Sequence, residues 1–301
     1  MESTSKIRYS ILIINPNTST HMTDGLKPII DRLNYSDVHF DYFTAPTGAT
    51  VTDAGKHVEG IPSINCGDHA SLSALHCFPH LESLIGQYDG FLVACYSAHP
   101  LVGMLQDAIL SNRPKFALLD KNKQLKKKQY VMGIMEASIW ASLALTTFFN
   151  FDRPATTALD RTVAGSMDFG IVTTADTWKE ELTWAVRKML LRGRGGGLDS
   201  DIQVEGFAGV ETTGLTAAEL HTIAQGEVSL RISDATKNLI EGASRPVTTI
   251  CLGCAGMAGM DDAVREGCIR ALGKEKGSQV RIIDGVSAGI GFLVSSCKAG
   301  F

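Results

Sequence analysis

The chain has 301 residues, 44% of them apolar and 20% charged, the proportions of a globular protein with room for two domains. Its net charge of −4 offers no footprint for nucleic acid, and no run of about 18 apolar residues is available to cross a bilayer. The start MESTSKIRYS lacks the apolar centre of a secretory leader, and seven cysteines, an odd number, fit thiols in a reducing cytoplasm better than a disulfide framework.

In chain order, the first strand-length apolar run is Ser10–Ile14, closed by Asn15-Pro16-Asn17-Thr18. Met22, Leu26, Ile29, Ile30 and Leu33 then share one helical face. Further runs follow at Val38–Phe43, Phe91–Ala94, Tyr130–Ile134, Phe169–Val172, Ile202–Phe207, Val247–Leu252 and Val280–Ile283. Continuous rather than alternating apolar runs describe strands covered on both faces. Pro79 is expected to disturb the helix that carries His76 and His80. Leu182, Ala185, Val186, Met189 and Leu190 mark a second amphipathic helix, and Thr216 with Glu219 has the spacing of a capping box. KNKQLKKK at 121–128 reads as a solvated loop, Phe151–Asp168 as a surface loop and RGRGGGLDS at 192–200 as a flexible connection. Strands alternating with helices predict an α/β protein with doubly wound parallel sheets.

A weak internal repeat runs through these elements. ILIINPNT at 11–18 resembles GIVTTADT at 170–177, and VACYSAHP at 93–100 resembles ICLGCAGM at 250–257. The two shifts agree closely, 171 − 11 = 160 and 254 − 95 = 159. GIMEASI at 133–139 and IDGVSAGI at 283–290 close the two halves. The expected organisation is an N-terminal α/β half of residues 1–134 plus 285–301 and a C-terminal half of 135–284. The carboxyl ends of the strands, where α/β sheets bind ligands, are expected to meet in one crevice between the halves.

Cys95 and Cys254 hold equivalent places in this repeat, each directly after an apolar strand and before small residues. Backbone N–H groups and a helix N-terminus can lower a thiol's pKa there. One ionised and one protonated thiol form a pair able to take hydrogen from one face of a carbon and return it to the other. The bland reading is that both are small packing residues. Asn17 and the hydroxyls of Thr173 and Thr174 are candidates to hold a developing enolate, although Asn-Pro-Asn-Thr is also ordinary turn and cap chemistry. Three rival readings are weaker. Cys251 and Cys254 form a lone CxxC without a second ligand pair for zinc. Cys95 with His99 has a spacing common by chance for a thiol hydrolase. The cluster Cys66, Asp68, His69, His76, Cys77 and His80 shows only one helical i,i+4 pair for a metal.

Together, NPNTS at 15–19, VACYSAHPL at 93–101, GIMEAS at 133–138, GIVTT at 170–174, LGCAGMAGM at 252–260 and IDGV at 283–286 resemble hydantoin racemases of the Asp/Glu racemase superfamily. The resemblance implies two flavodoxin-like halves related by a pseudo-twofold, oligomers, and catalysis without pyridoxal phosphate or metal. Carried over, Cys95 and Cys254 are the catalytic pair, and Asn17, Ser97, Thr173, Thr174 and Gly256 are substrate contacts. Ser97-Ala98-His99 departs from the Gly-Asp-Pro run often found after the first cysteine, and sets an imidazole beside the reacting centre. The expected reaction is a 1,1-proton transfer on a small cyclic imide or ureide such as a hydantoin- or allantoin-like ring. Amino-acid racemisation, cis–trans isomerisation and decarboxylation are the rivals on the same scaffold, and a non-catalytic metabolite-binding module is the rival of another class. The motif segments hold no Arg or Lys, which favours a neutral ring over a dicarboxylate.

Overall fold

A computed structural model describes residues 7–52, 54–115, 128–147, 167–191 and 204–301. Of the loops expected at 121–128 and 151–168 all but residues 128, 167 and 168 lie outside the described residues, as does the connection expected at 192–200, and Asp168 belongs to the following strand rather than to a loop. The chain divides into two compact units, Met1–Ala137 with Val286–Phe301, and Ser138–Gly285.

The first unit runs β1 (Tyr9–Asn15), α1 (Thr20–Arg32), β2 (Val38–Thr44), β3 (Thr50–Val51), β4 (His57–Val58), α2 (Gly67–Glu82), β5 (Gly90–Val93), α3 (Pro100–Lys115), β6 (Tyr130–Gly133) and the start of α4 (Ile134–Thr147). Its sheet has the order β2-β1-β5-β6, all pairs parallel. Ile11, Ile13, Ile14, Phe91, Leu92 and Val93 are wholly buried, as strands covered on both faces require. In α1 the expected face is buried at Leu26, Ile29 and Ile30, and Ser19 caps the helix by accepting from the Met22 amide. The C-terminal helix α10 (Gly285–Ala299) returns to this unit, where a methyl on Gly289 would meet Leu92 Cδ1 at 2.5 Å. That glycine permits the helix to lie directly on β5.

The second unit runs through the rest of α4, β7 (Asp168–Thr173), α5 (Thr177–Leu190), β8 (Phe207–Thr212), α6 (Glu219–Thr222), α7 (Gln225–Gly242), β9 (Val247–Leu252), a 3-10 turn (Ala255–Met257), α8 (Asp261–Leu272), α9 (Lys274–Gln279) and β10 (Arg281–Asp284). Its sheet order is β10-β9-β7-β8, again all parallel. Counted by appearance within each unit's four-stranded sheet, both sheets read second, first, third, fourth. The repeat in the sequence is therefore a repeat of topology.

Two expected elements differ from the structure. The strand placed at Ile202–Phe207 is instead β8 at Phe207–Thr212. Gly206, at φ +87°, ends a turn closed by Phe207 N–H donating to Val204 O, so pairing starts only there. β8 is also a half-buried edge strand with a register shift opposite Phe169 and Gly170, and it lacks the continuous apolar run that marks the central strands. Pro79, expected to disturb its helix, lies inside an unbroken α2. It falls in the last turn, where one lost N–H is offset by the full burial of Cys77 and Leu81. Thr216 and Glu219 do form a capping box: Thr216 N–H donates to Glu219 Oε2 at 2.7 Å and Glu219 N–H to Thr216 Oγ1 at 3.3 Å. Among the described residues no helix is long and apolar enough to cross a membrane.

Candidate active site

In each parallel sheet the carboxyl ends of the strands share one edge, and the chemistry-bearing residues gather there. In the first unit that edge carries Asn15 and Asn17 after β1, Cys95 and Ser97 after β5, and Glu136 after β6.

Asn15 is the buried pin of the first loop. Its Nδ2 donates to Asn17 Oδ1 (3.1 Å), Ser19 O (2.9 Å) and Thr23 Oγ1 (3.0 Å), and its Oδ1 accepts from the Asn17 amide (3.2 Å). Asn17 Oδ1 is fully used inside the turn, because it also accepts from Ser19 N–H at 2.9 Å. Among the described residues Asn17 Nδ2 meets a weak acceptor, the Met22 sulfur, at 3.2 Å. The amide of Asn17 is therefore the part of this side chain suited to donate to a carbonyl. Cys95 is half-buried with its Sγ 3.5 Å from Ser97 Oγ.

His99 does not sit beside the reacting centre as expected. It is buried, its Nδ1 accepts from Leu101 N–H at 3.3 Å, and its Nε2 therefore donates to Ser73 Oγ on α2 at 3.1 Å. Burial pushes its pKa down to about 4, so the ring is neutral and serves as a brace between the β5 loop and α2. Both ring nitrogens being committed, a Cys95–His99 nucleophile–base couple is not formed. Cys77, also on α2, donates its thiol to Pro16 O at 3.6 Å; burial, with the neighbouring Cys95, pushes it up to about 12. Of the cluster at 66–80, His76 lies between Val58 O (3.0 Å) and Pro46 O (2.9 Å), and His80 Nε2 is 2.8 Å from Thr50 Oγ1. These imidazoles fasten the β3–β4 hairpin to α2, and among the described residues no group of His, Cys, Asp and Glu is arranged to hold a metal.

In the second unit the same edge carries Thr173 and Thr174 after β7, Thr212 and Thr213 at the end of β8, and Cys254 after β9. Thr173 Oγ1 donates to Gly253 O at 2.6 Å, and Gly253 N–H to Val172 O at 2.7 Å. The Thr173 hydroxyl is thereby a tie that fixes the Cys254 loop. A methyl on Gly253 would meet Thr173 Cβ at 2.6 Å and Val172 O at 2.8 Å, so only glycine fits. Thr174 is buried, with its carbonyl accepting from Gly214 N–H at 3.2 Å.

Cys254 is the N-cap of the 3-10 turn; its side chain makes no capping hydrogen bond, the Met257 amide donates to the Cys254 carbonyl at 3.0 Å, and the nearby Gly256 and Met257 amides favour the ionised thiol. The expected lowering of its pKa by such donors is overturned. Burial outweighs the pull of both amides and pushes the thiol up to about 11, so the resting side chain is protonated. Gly256 leaves its space to the site: a methyl there would lie 3.6 Å from Cys254 Sγ and 3.2 Å from Nε2 of His221 on α6. Cys251, three residues earlier, is a buried strand residue 3.1 Å from Ser142 Oγ, a packing thiol rather than half of a redox pair.

The sequence reading passed over two side chains at these edges. His221 has no motif around it; only the chain's return over Gly256 reveals it. Glu136 was legible as a lone carboxyl in the apolar run YVMGIMEAS, directly after a buried strand. Its Oε2 is buried without a hydrogen-bond partner, and burial pushes its pKa up to about 7.

The profile of the Asp/Glu/Hydantoin racemase family matches residues 11–114 and 131–293. The chain belongs to that family. Among relatives of this racemase-family protein, an uncharacterized protein of Schizosaccharomyces pombe is 29% identical over 285 residues, 95% of this chain and 90% of the relative. The fold is that of an allantoin racemase from Klebsiella pneumoniae (TM-score 0.60, 21% identity, covering 98% of this chain and 89% of the other). It is likewise that of the allantoin racemase AllR from Pseudomonas fluorescens (TM-score 0.62, 18% identity, 97% and 92%).

Proposed function

We propose that the protein is a cofactor-independent racemase or epimerase acting at an acidic C–H of a hydantoin- or allantoin-like ring, with Cys95 and Cys254 as its acid–base pair. One observation carries the reading. Each cysteine lies two residues beyond the third strand of its sheet, Val93 and Leu252 being the last strand residues, so duplicated topology has produced duplicated thiols at ligand-binding strand ends. Membership of the family supports racemase or isomerase chemistry, and the two allantoin racemases of like fold make a cyclic ureide the ring class we favour. The surroundings support a neutral substrate. The side chains described above at the strand ends are Asn, Ser, Thr and a carboxyl, with no Lys or Arg among them to meet a dicarboxylate or amino acid.

In the reaction, one thiolate removes the proton from the ring carbon flanked by carbonyl and nitrogen. The electron pair passes into the adjacent carbonyl as an enolate. The other thiol then protonates the same carbon from the opposite face, and the two sulfurs exchange roles. Asn17 Nδ2 and the backbone N–H of Gly256 are donors for the charge that develops. General acid–base catalysis of this kind contributes about 10²–10⁴-fold.

The test is racemisation and solvent-deuterium exchange of a chiral 5-substituted hydantoin and of allantoin by wild type, Cys95→Ser and Cys254→Ser. Racemisation should fall by at least about 10²-fold in both variants. Residual exchange should favour opposite enantiomers in the two, since each keeps a different thiol. Full racemase activity in either variant refutes the mechanism.

A further inference from the structure

Glu136 is a side chain that the two-thiol chemistry does not use. It stands in the first turn of α4, three residues beyond Gly133, which pairs with Val93 in the β5–β6 ladder. The chain that leaves Val93 reaches Cys95 two residues later. Glu136 and Cys95 thus leave adjacent parallel strands at the same edge of one sheet. The carboxyl folds back over the strand end: a methyl on Gly133 would collide with Glu136 Oε2 and would lie 3.2 Å from Val102 Cγ2 on α3. Glycine at 133 therefore makes the room that the carboxyl occupies.

What the carboxyl does in the ligand-free protein is costly. Its Oε2 is buried with no hydrogen-bond partner, and the interaction favouring its ionised form is with its own backbone amide. Buried polar atoms are almost always paired, and an unpaired carboxylate oxygen is among the most expensive exceptions. Above the pKa of about 7 the group is a carboxylate, which accepts hydrogen bonds and does not donate them, so the partner missing there is a donor. A hydantoin-like cyclic ureide carries one ring N–H on the nitrogen bonded to the carbon that loses its proton, and a second between its two carbonyls.

From this we infer that Glu136 is a substrate-binding residue, its Oε2 accepting a hydrogen bond from a ring N–H of a cyclic ureide held beside Cys95. The inference rests on the ring class proposed above, and it adds the group that orients the ring. A charge-assisted acceptor discriminates strongly, because a ligand lacking the N–H leaves the carboxylate buried and unpaired. It also disfavours anionic substrates, which bring acceptors and a like charge.

Binding of unsubstituted hydantoin tests it, since this ligand has no stereocentre and gives no net reaction. Calorimetric titration at pH 8 would compare wild type with Glu136→Gln, using hydantoin and its two mono-N-methyl derivatives. Glu136→Gln should weaken hydantoin binding about tenfold or more. One N-methylation should cost wild type a similar factor, and the variant at most about twofold, because the bond is already lost. Racemisation by the variant should show the loss chiefly in KM. A merely structural Glu136 would weaken all three ligands alike. Hydantoin bound equally by wild type and Glu136→Gln, or N-methyl penalties that are the same in both proteins, would overturn the inference while leaving the racemase reading intact. Wild type that neither binds nor turns over any cyclic ureide would sink both.

Discussion

Replacing Glu136 by Gln should stabilise the ligand-free protein at alkaline pH and leave it nearly unchanged at acid pH. Burial moves this carboxyl from 4.5 to about 7. That displacement amounts to about 3 kcal/mol against the ionised form. The folded state holds the proton more tightly than the unfolded chain, so stability falls as pH rises from 4.5 to about 7 and stays low above it. His99, in the same unit, has the opposite sign. Burial lowers it from 6.5 to about 4, the folded state binds its proton more weakly, and stability is lost as pH falls through that window. The two contributions are similar in size and nearly cancel in wild type. Glu136→Gln removes one of them, so its unfolding free energy should climb by about 3 kcal/mol between pH 4 and 7 relative to wild type. Taking the difference between pH 8 and pH 4 cancels whatever hydrogen bonds the new amide makes. The readout must follow the first unit, and Trp140, Trp178 and Trp184 all lie in the second, so fluorescence is the wrong probe. Urea unfolding at each pH, with a brief deuterium pulse and mass analysis of β1 and β5 peptides, reads the right transition. A variant-minus-wild-type difference that is the same at pH 4 and pH 8 would refute the reasoning.

Other perturbations follow from the same geometry. Gly253→Ala should destabilise by about 1–3 kcal/mol, because its methyl strikes the Val172 carbonyl, which cannot move aside. Trp178 and Trp184 make fluorescence-detected thermal melting suitable for this unit, and an unchanged midpoint would contradict the close approach. Asn15→Asp should cost about 2–3 kcal/mol, since it exchanges the Nδ2 donor for a carboxylate facing Asn17 Oδ1 and Ser19 O; a denaturation midpoint equal to wild type would exclude the network. With the Cys254 thiol held near 11, enzymatic racemisation above the uncatalysed background should persist to about pH 10 and fall beyond it, as the pair loses its remaining acid. kcat/KM must change identically for both enantiomers, because their equilibrium constant is one. A decline that begins near pH 8 would show that Cys254 is not the group being lost.

The central strands were legible because they are buried on both faces, and their continuous apolar runs differ from helical periodicity. β1, β5, β7 and β9 fall where those runs lie, within about two residues at each end. β8 was displaced because an edge strand needs no such run, and its start is dictated by backbone at Gly206 rather than by side chains. The places of Cys95 and Cys254 after their strands were equally legible, since a strand followed by small residues leaves little choice. Their electrostatics were not. Whether an amide or burial governs Cys254 depends on what covers it, and coverage comes from distant segments such as α6. The same holds for His99, which spacing sets beside Cys95 and whose imidazole is committed to Ser73, 26 residues away, and to the Leu101 amide.

Duplication accounts for the paired thiols, and divergence between the halves accounts for everything that must distinguish one end of a substrate from the other. A racemase passes both enantiomers through one planar intermediate, so groups that donate and accept protons at the stereocentre need to be equivalent. Groups that grip the rest of the ring do not. With a shift of 151 between the closing segments, the position matching Glu136 is Ser287, and the position matching Gly133 is Asp284. The first repeat therefore offers a buried acceptor without a partner where the second offers a hydroxyl, both within the first unit. A symmetrical grip would let a ring bind in two orientations, only one of which presents its acidic carbon correctly. An unsymmetrical one selects the productive orientation while leaving the chemistry at the carbon even-handed, which is the part inferred for Glu136 at the end of the strand next to that of Cys95.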